Sequence, residues 1–339
     1  MNMIIHRIAL VLILVLLSVS ASPRQRTTSE QEEKIVTSTR LVTVNVVVTD
    51  QKGNYALGLK REDFRIYDDG IKQQLSHFSF GADPISLGIV FEVHSSKPET
   101  SRAILLALRQ LAASLREKDR FFFTAFAKQG SVETEFIPSL DQLLNHLIFV
   151  KPGGPSSLYD AIYASAARLR AEPNLRKTLL IVSDGEDHES ITSYQRLRDR
   201  LRQFDVQVYA IGISDPDKSV TWERRPWAFE DVTKDSGYRP QVLDPDQVKG
   251  RAVLDEMSRV SGGATYFPET ENEPDLTTLC NQIIVELRQQ YTLGFYAMDH
   301  RSQRGSHQLK VTVNGTNKAR PLSLSYRQKY QSETRIGGR

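Results

Sequence analysis

Two short runs in the middle of the chain constrain its fold more than any other feature. Residues 85–93 read ISLGIVFEV and residues 178–182 read TLLIV, each an almost unbroken apolar stretch. A strand with one wet face alternates apolar and polar residues, so runs like these predict strands buried on both faces. Such burial needs helices above and below the sheet, and the intervening sequence supplies them. Ile104, Leu105, Leu108, Leu111, Ala112 and Leu115 have the spacing of one helical face. Further helices are predicted over 140–147, 158–169, 194–204, 253–260 and 276–290. Strands are predicted over 121–126, 132–137, 206–213 and 264–267. Strands separated by helices imply a doubly wound, mainly parallel α/β sheet. Cys280 lies among Leu276, Leu279 and Ile283 of the last helix, which predicts a buried, unreactive thiol. With one cysteine in the chain, no internal disulfide and no cysteine-based zinc cluster can form.

The flanks have a different period. Residues 41–50 (LVTVNVVVTD) alternate and are rich in valine and threonine, a strand signature. Strands follow over 64–67 and 73–80, joined through Asp68-Asp69-Gly70, where Gly70 suits a tight hairpin. At the other end, 291–296, 307–313 and 320–326 are also strand-like. Neither set buries enough by itself, so 38–80 and 291–328 are expected to pack as one small β-sandwich around the α/β domain of 81–290. Two separate β-extensions are the alternative.

The chain begins with a basic pair, His6 and Arg7, then an apolar run over residues 8–17, then small residues up to Ala21. These are the parts of a secretory signal, and the run falls short of the ~20 residues a spanning helix needs. Residues 1–21 are therefore expected to be a signal peptide, 22–37 a polar linker and 329–339 a flexible tail. The rest should be exported, periplasmic or secreted, with no membrane span once the signal is removed. An uncleaved N-terminal anchor is the alternative. The 44 basic and 41 acidic residues nearly balance, so composition gives no reason to expect nucleic-acid binding.

In an open parallel sheet, ligands bind beyond the carboxyl ends of the strands. Three polar clusters fall there: Glu92-Val93-His94-Ser95-Ser96, Gly153 through Asp160, and Ser183-Asp184-Gly185-Glu186-Asp187. Carboxylates and hydroxyls sharing one edge are the donors a hard cation takes. Their order and flanks resemble the von Willebrand factor A-type domain, particularly a bacterial set typified by acidobacterial proteins. The resemblance rests on the acid-x-x-x-Ser run after the first buried strand, on SSLYDA at 156–161, and on LLIVSDGED at 179–187. The β-segments VNVVVTDQKGNYALGLKREDFRIYDDG and YTLGFY extend it over most of residues 40–328. It implies a Rossmann-like fold and a metal-ion-dependent adhesion site at Glu92, His94, Ser96, Ser156 and Asp184. It further implies that a partner's carboxylate completes the shell of a Mg²⁺ or Mn²⁺ ion.

Ser96 and Asp184 match that motif, Ser156 keeps a hydroxyl where threonine is usual, and Glu92 lengthens an aspartate by one methylene. His94 departs from it, replacing an oxygen donor with an imidazole better suited to Zn, Ni or Cu. Three readings stay open. The site has lost its metal and survives as a structural edge; it holds Mg²⁺ or Mn²⁺ through Ser96, Ser156 and Asp184; or it has turned to a transition metal using His94 with Asp184. Asp187-His188-Glu189 is either an exposed charged loop or an aid to the last of these.

Residues 214–250 interrupt the regular pattern with both tryptophans, Trp222 and Trp227, beside Arg224 and Tyr238. They are read either as residues packing a long loop or as a partner-binding lid. Arg196, Arg198, Arg200 and Arg202 spread around one helix with Asp199, as a solvated face does. There is no phosphate-binding glycine loop, no second histidine after His188-Glu189 and no nucleophile elbow. The sequence therefore points to a non-enzymatic, exported protein-interaction or adhesion module. A metal-dependent hydrolase on the same edge and a ligand-free envelope component are the alternatives.

Overall fold

The computed structural model describes residues 40–93, 98–127, 130–133, 157–213, 250–297, 305–314 and 321–331. The first four strands are β1 (Arg40–Thr49), β2 (Phe64–Asp68), β3 (Ile71–Gln73) and β4 (His77–Phe80). The central part then runs β5 (Ile85–Glu92), α1 (Pro98–Ala113), β6 (Arg120–Ala127), β7 (Gly130–Glu133), α2 (Leu158–Arg170) and β8 (Arg176–Ser183). It continues through α3 (Tyr194–Phe204), β9 (Gln207–Gly212), α4 (Gly250–Ser261), β10 (Thr265–Tyr266) and α5 (Glu273–Arg288). Four strands close the chain: β11 (Tyr291–Ala297), β12 (Ser306–Val313), β13 (Ser323–Ser325) and β14 (Lys329–Gln331).

The central sheet has the order β10-β9-β8-β5-β6-β7, parallel except for the antiparallel edge strand β7. Every residue of β5 is buried, which is why its sequence shows no alternation. On one face, Ile104 and Leu108 of α1 and Leu276, Cys280 and Ile283 of α5 pack against Ile89, Phe91 and Phe123. On the other, Ile162 of α2, Leu197 of α3 and Met257 of α4 pack against Val90, Leu179 and Ile181. The two faces make this the doubly wound α/β fold expected from the sequence. Burial pushes the Cys280 thiol up to about 12, which keeps it protonated and unreactive at neutral pH.

The flanking strands form two further sheets, β13-β1-β11-β4 and β14-β12-β2-β3, that share one core. Val42, Val44, Val46 and Val48 of β1 point into that core with Ile66, Leu293, Phe295 and Leu309. N- and C-terminal segments therefore meet in one sandwich, with Val44 opposite Leu293 across the β1–β11 pair.

Three expectations need correction. The single strand expected over 73–80 is two strands in different sheets, because Leu75 turns into the core where the chain crosses from one sheet to the other. The strand expected over 320–326 shortens to Ser323–Ser325. The tail expected from residue 329 starts with β14, which pairs with β12 and buries Tyr330. A run of three residues is too short to show a period, so sequence alone cannot reveal β14. The helix expected over 140–147 and residues 134–137 of an expected strand lie outside the described residues. Among the described residues, no helix is long and apolar enough to cross a membrane.

Asp205 straps the sandwich to the central part. It caps the carboxyl end of α3 in a left-handed conformation (φ 59°). Its carboxylate accepts a hydrogen bond from the Thr43 hydroxyl at 2.8 Å and faces the Arg327 guanidinium at 2.7 Å.

Candidate functional site

The first strand of the central sheet, β5, has β6 and β7 on one side and β8, β9 and β10 on the other. Successive connections therefore leave in opposite directions from the β5–β8 junction, the kind of position beyond whose carboxyl ends open parallel sheets bind ligands. Glu92 ends β5 and Ser183 ends β8, so the fold itself carries these two residues to that junction.

They touch there. The Ser183 hydroxyl donates to Glu92 Oε2 at 2.5 Å and accepts from the Gly185 N–H at 2.9 Å. Glu92 is only 5% exposed, and a buried carboxylate is costly without such charge-assisted bonds. Asp184, half-buried, accepts the Glu186 N–H on Oδ1 at 2.8 Å, closing a tight local turn. Gly185 has φ +82°, and a Cβ there would lie 2.2 Å from the carbonyl oxygen of Gly250 at the start of α4. Only glycine lets the turn after β8 pass that close.

The next stretch locks α2 in place. Asp187 Oδ1 accepts the Tyr159 N–H at 3.0 Å and the Ser190 hydroxyl at 2.5 Å, while Ser190 Oγ accepts the Asp160 N–H at 3.1 Å. These bonds satisfy amides of the first helical turn, which has no side-chain cap of its own. Asp160 returns the contact by accepting the amides of Ile191 and Thr192, each at 2.9 Å. Burial raises the Asp160 carboxyl, but bonds from Thr192 and Ile191 and the Arg196 charge outweigh it and hold it low. Ile191 stands 92% exposed on this loop.

Of the five residues assigned to the cation site from sequence, Glu92 and Asp184 lie at the junction. His94, Ser96 and Ser156 lie outside the described residues, as do Trp222, Arg224, Trp227 and Tyr238. Asp187 serves as the cap for α2, and His188 Nε2 faces Glu186 Oε2 at 3.7 Å. Ser183, placed by the sequence in the polar cluster at this edge but not among the five cation-site residues, is the partner of Glu92. The signal was present, since it is the first polar residue after TLLIV. Sequence reasoning missed a group of one imidazole and two carboxylates, Asp68, Asp69 and His307, whose donor atoms lie within 4.8 Å of one another. In the sequence, Asp68 and Asp69 read only as part of a hairpin turn.

The central part, with its strand order, antiparallel edge and two helical layers, is a doubly wound, mainly parallel α/β domain. No protein-family model matches the chain, and no curated protein matches it. Solved structures similar to it include BatB from Bacteroides thetaiotaomicron, at 14% identity and TM-score 0.40, covering 60% of this chain and 98% of that one. The manganese-loaded Plasmodium vivax TRAP protein is 12% identical, with TM-score 0.40 over 78% of this chain and 98% of that one. The ArnB paralog VWA2 from Sulfolobus acidocaldarius is 10% identical, with TM-score 0.39 over 87% of this chain and 75% of that one.

Proposed function

We propose that the protein is an exported, non-enzymatic interaction module that captures a protein partner at the carboxyl-terminal edge of its central sheet. One observation carries the reading: the β5–β8 junction, the position at which open parallel sheets bind ligands, carries the half-buried Asp184 turn above the buried Glu92–Ser183 pair. The opposite end of the sheet is closed by contacts to the sandwich side of the chain, among them Arg116 to the Gly81 carbonyl and Arg176 to the Asp83 carbonyl. Export rests on the basic start, apolar run and small residues within 1–21.

The donors at the edge fit a hard divalent cation. Asp184, Ser96 and Ser156 would hold Mg²⁺ or Mn²⁺, with Glu92 contributing charge from its bond to Ser183. Such an ion supplies a positive centre on which a partner's carboxylate can close. The manganese in the TRAP structure is consistent with an ion at this kind of fold.

Proteins retained by the tagged chain from its own cells should be lost from Asp184→Ala, with thermal unfolding unchanged within a degree or two. Retention should fall with chelator and return with Mg²⁺ or Mn²⁺. Equal retention by wild type and Asp184→Ala would reject the assignment of this edge. Loss of chelator sensitivity alone would reject only the cation.

A further inference from the structure

We propose that Asp68, Asp69 and His307 bind a divalent transition-metal cation of the zinc class on the sheet β14-β12-β2-β3. This site is separate from the partner-binding edge and does not depend on that reading.

The three residues come together through strand register. Asp68 ends β2 and Asp69 begins the two-residue turn to β3, while His307 lies on β12, which pairs with β2 through Leu309 opposite Asp68. Asp69 and Gly70 both have positive φ, 47° and 81°, as a tight hairpin requires. The turn is latched to β12: the Asp69 N–H donates to the Gln308 carbonyl at 2.9 Å, and Asp69 Oδ1 accepts the Gln308 N–H at 2.8 Å.

Each ligand is already aimed. Asp69 uses Oδ1 for Gln308 and turns Oδ2 to His307 Nδ1, at 2.8 Å. Asp68 uses Oδ2 for the Tyr330 hydroxyl, at 2.8 Å, and directs Oδ1 toward the same Nδ1, at 3.9 Å. The His307 ring is stacked on Tyr330, with centroids 4.9 Å apart and planes 18° from parallel. Hydrogen bonds on the far oxygens of ligating carboxylates, and packing against a ligating ring, are how proteins preorganise metal sites.

One atom in this arrangement asks for a cation. Asp68 Oδ1 is buried and has no hydrogen-bond partner among the described residues. An acceptor in that position normally finds a donor, water or ion. A dication would occupy the orphaned oxygen and offset both carboxylate charges.

The spacing suits zinc. Ligands at about 2.0–2.2 Å in a tetrahedron stand roughly 3.3–3.6 Å apart, so an ion would open the 2.8 Å His307–Asp69 hydrogen bond slightly and draw in Asp68 Oδ1 from 3.9 Å, with all three donor atoms already within 4.8 Å of one another. Three protein donors leave one position for water, and the imidazole favours Zn²⁺ over Mg²⁺. On binding, Nδ1 exchanges its proton for the metal: a neutral ring binds as the Nε2–H tautomer, and an imidazolium releases one proton to solvent. The ion would clip the β2–β3 turn to β12 in a chain that can form no internal disulfide.

Zn²⁺ titrated into the full-length protein against a chromophoric chelator should show one equivalent bound, with a rise in melting temperature. His307→Gln should weaken binding at least tenfold and abolish that rise, and Asp68→Asn should do the same while keeping an acceptor for Tyr330. Tyr330→Phe, which removes only the positioning hydroxyl, should have a smaller effect. No stoichiometric uptake by wild type would overturn the proposal, as would wild-type affinity in both His307→Gln and Asp68→Asn. Uptake kept in those variants but lost in His94→Ser would place the ion at the sheet edge and overturn it equally. Should His307→Gln fail to fold, Asp68→Asn decides alone.

Discussion

The two ends of the central sheet are built on opposite plans. At the amino-terminal end, polar groups reach across the fold. Arg176, about 1% exposed, donates to the Leu287 carbonyl, to Gln290 Oε1 at 3.1 Å and to the Asp83 carbonyl. Burial and the Arg288 charge lower its guanidinium to about 10, so it still carries its proton at neutral pH. Asp119 accepts the amides of Ile85 and Arg116 and pairs with Arg288. Gln290 passes the network to Tyr209, which shares Glu286 with Tyr266. At the carboxyl-terminal end, the bonds of Asp184 and Asp187 described above are mostly local turns and caps. One end fixes helices, sheet and sandwich together, and the other, among the described residues, is built of local turns and a helix cap. Rigid support beneath and display above is how folds of this kind carry binding sites.

Substitutions at the two ends should therefore differ in kind as well as size. The largest loss of stability is expected at Arg176. Arg176→Met should cost about 3 kcal/mol, because it strands the Leu287 carbonyl and Gln290 without a donor in a dry interior. A urea midpoint within error of wild type would break the contrast. Asp187→Ala should cost about 1 kcal/mol, the usual loss of a helix cap, because α2 keeps its packed face. A cost matching that of Arg176→Met would show the carboxyl-terminal loops to be as structural as the other end. Asp184→Ala should be the mildest for stability, about 0.5 kcal/mol, since Asp184 is half-buried and its turn bond to the Glu186 amide is local.

The sequence legibility of the molecule follows the same division. Helix α3 was predicted at Tyr194–Phe204, its observed span, because Leu197, Leu201 and Phe204 mark one face of an otherwise polar stretch. Strands β5 and β8 were legible because burial on both faces erases alternation. The position of Glu92 and Asp184 at the carboxyl edge followed from the alternation of strands and helices. What escaped was whatever depends on pairing across long separations. Asp68 meets Tyr330 because β2 and β14 both pair with β12, while Thr43 meets Asp205 at the end of α3 and Arg176 meets Gln290 before β11 through packing between distant elements. Ser183 escaped for a different reason. Its hydroxyl was read as one of several at the edge, and only the geometry singles it out as the partner of Glu92.

The central claim is that the carboxyl-terminal edge meets the partner while the amino-terminal end serves as structure. A photo-activatable cross-linking residue at Ile191, 92% exposed on the loop that caps α2, reports on the first. The same residue at Lys118, exposed in the turn before β6, reports on the second. In intact cells, the account predicts a discrete protein adduct from position 191 and none from position 118. An adduct from position 118 with none from position 191 would contradict it.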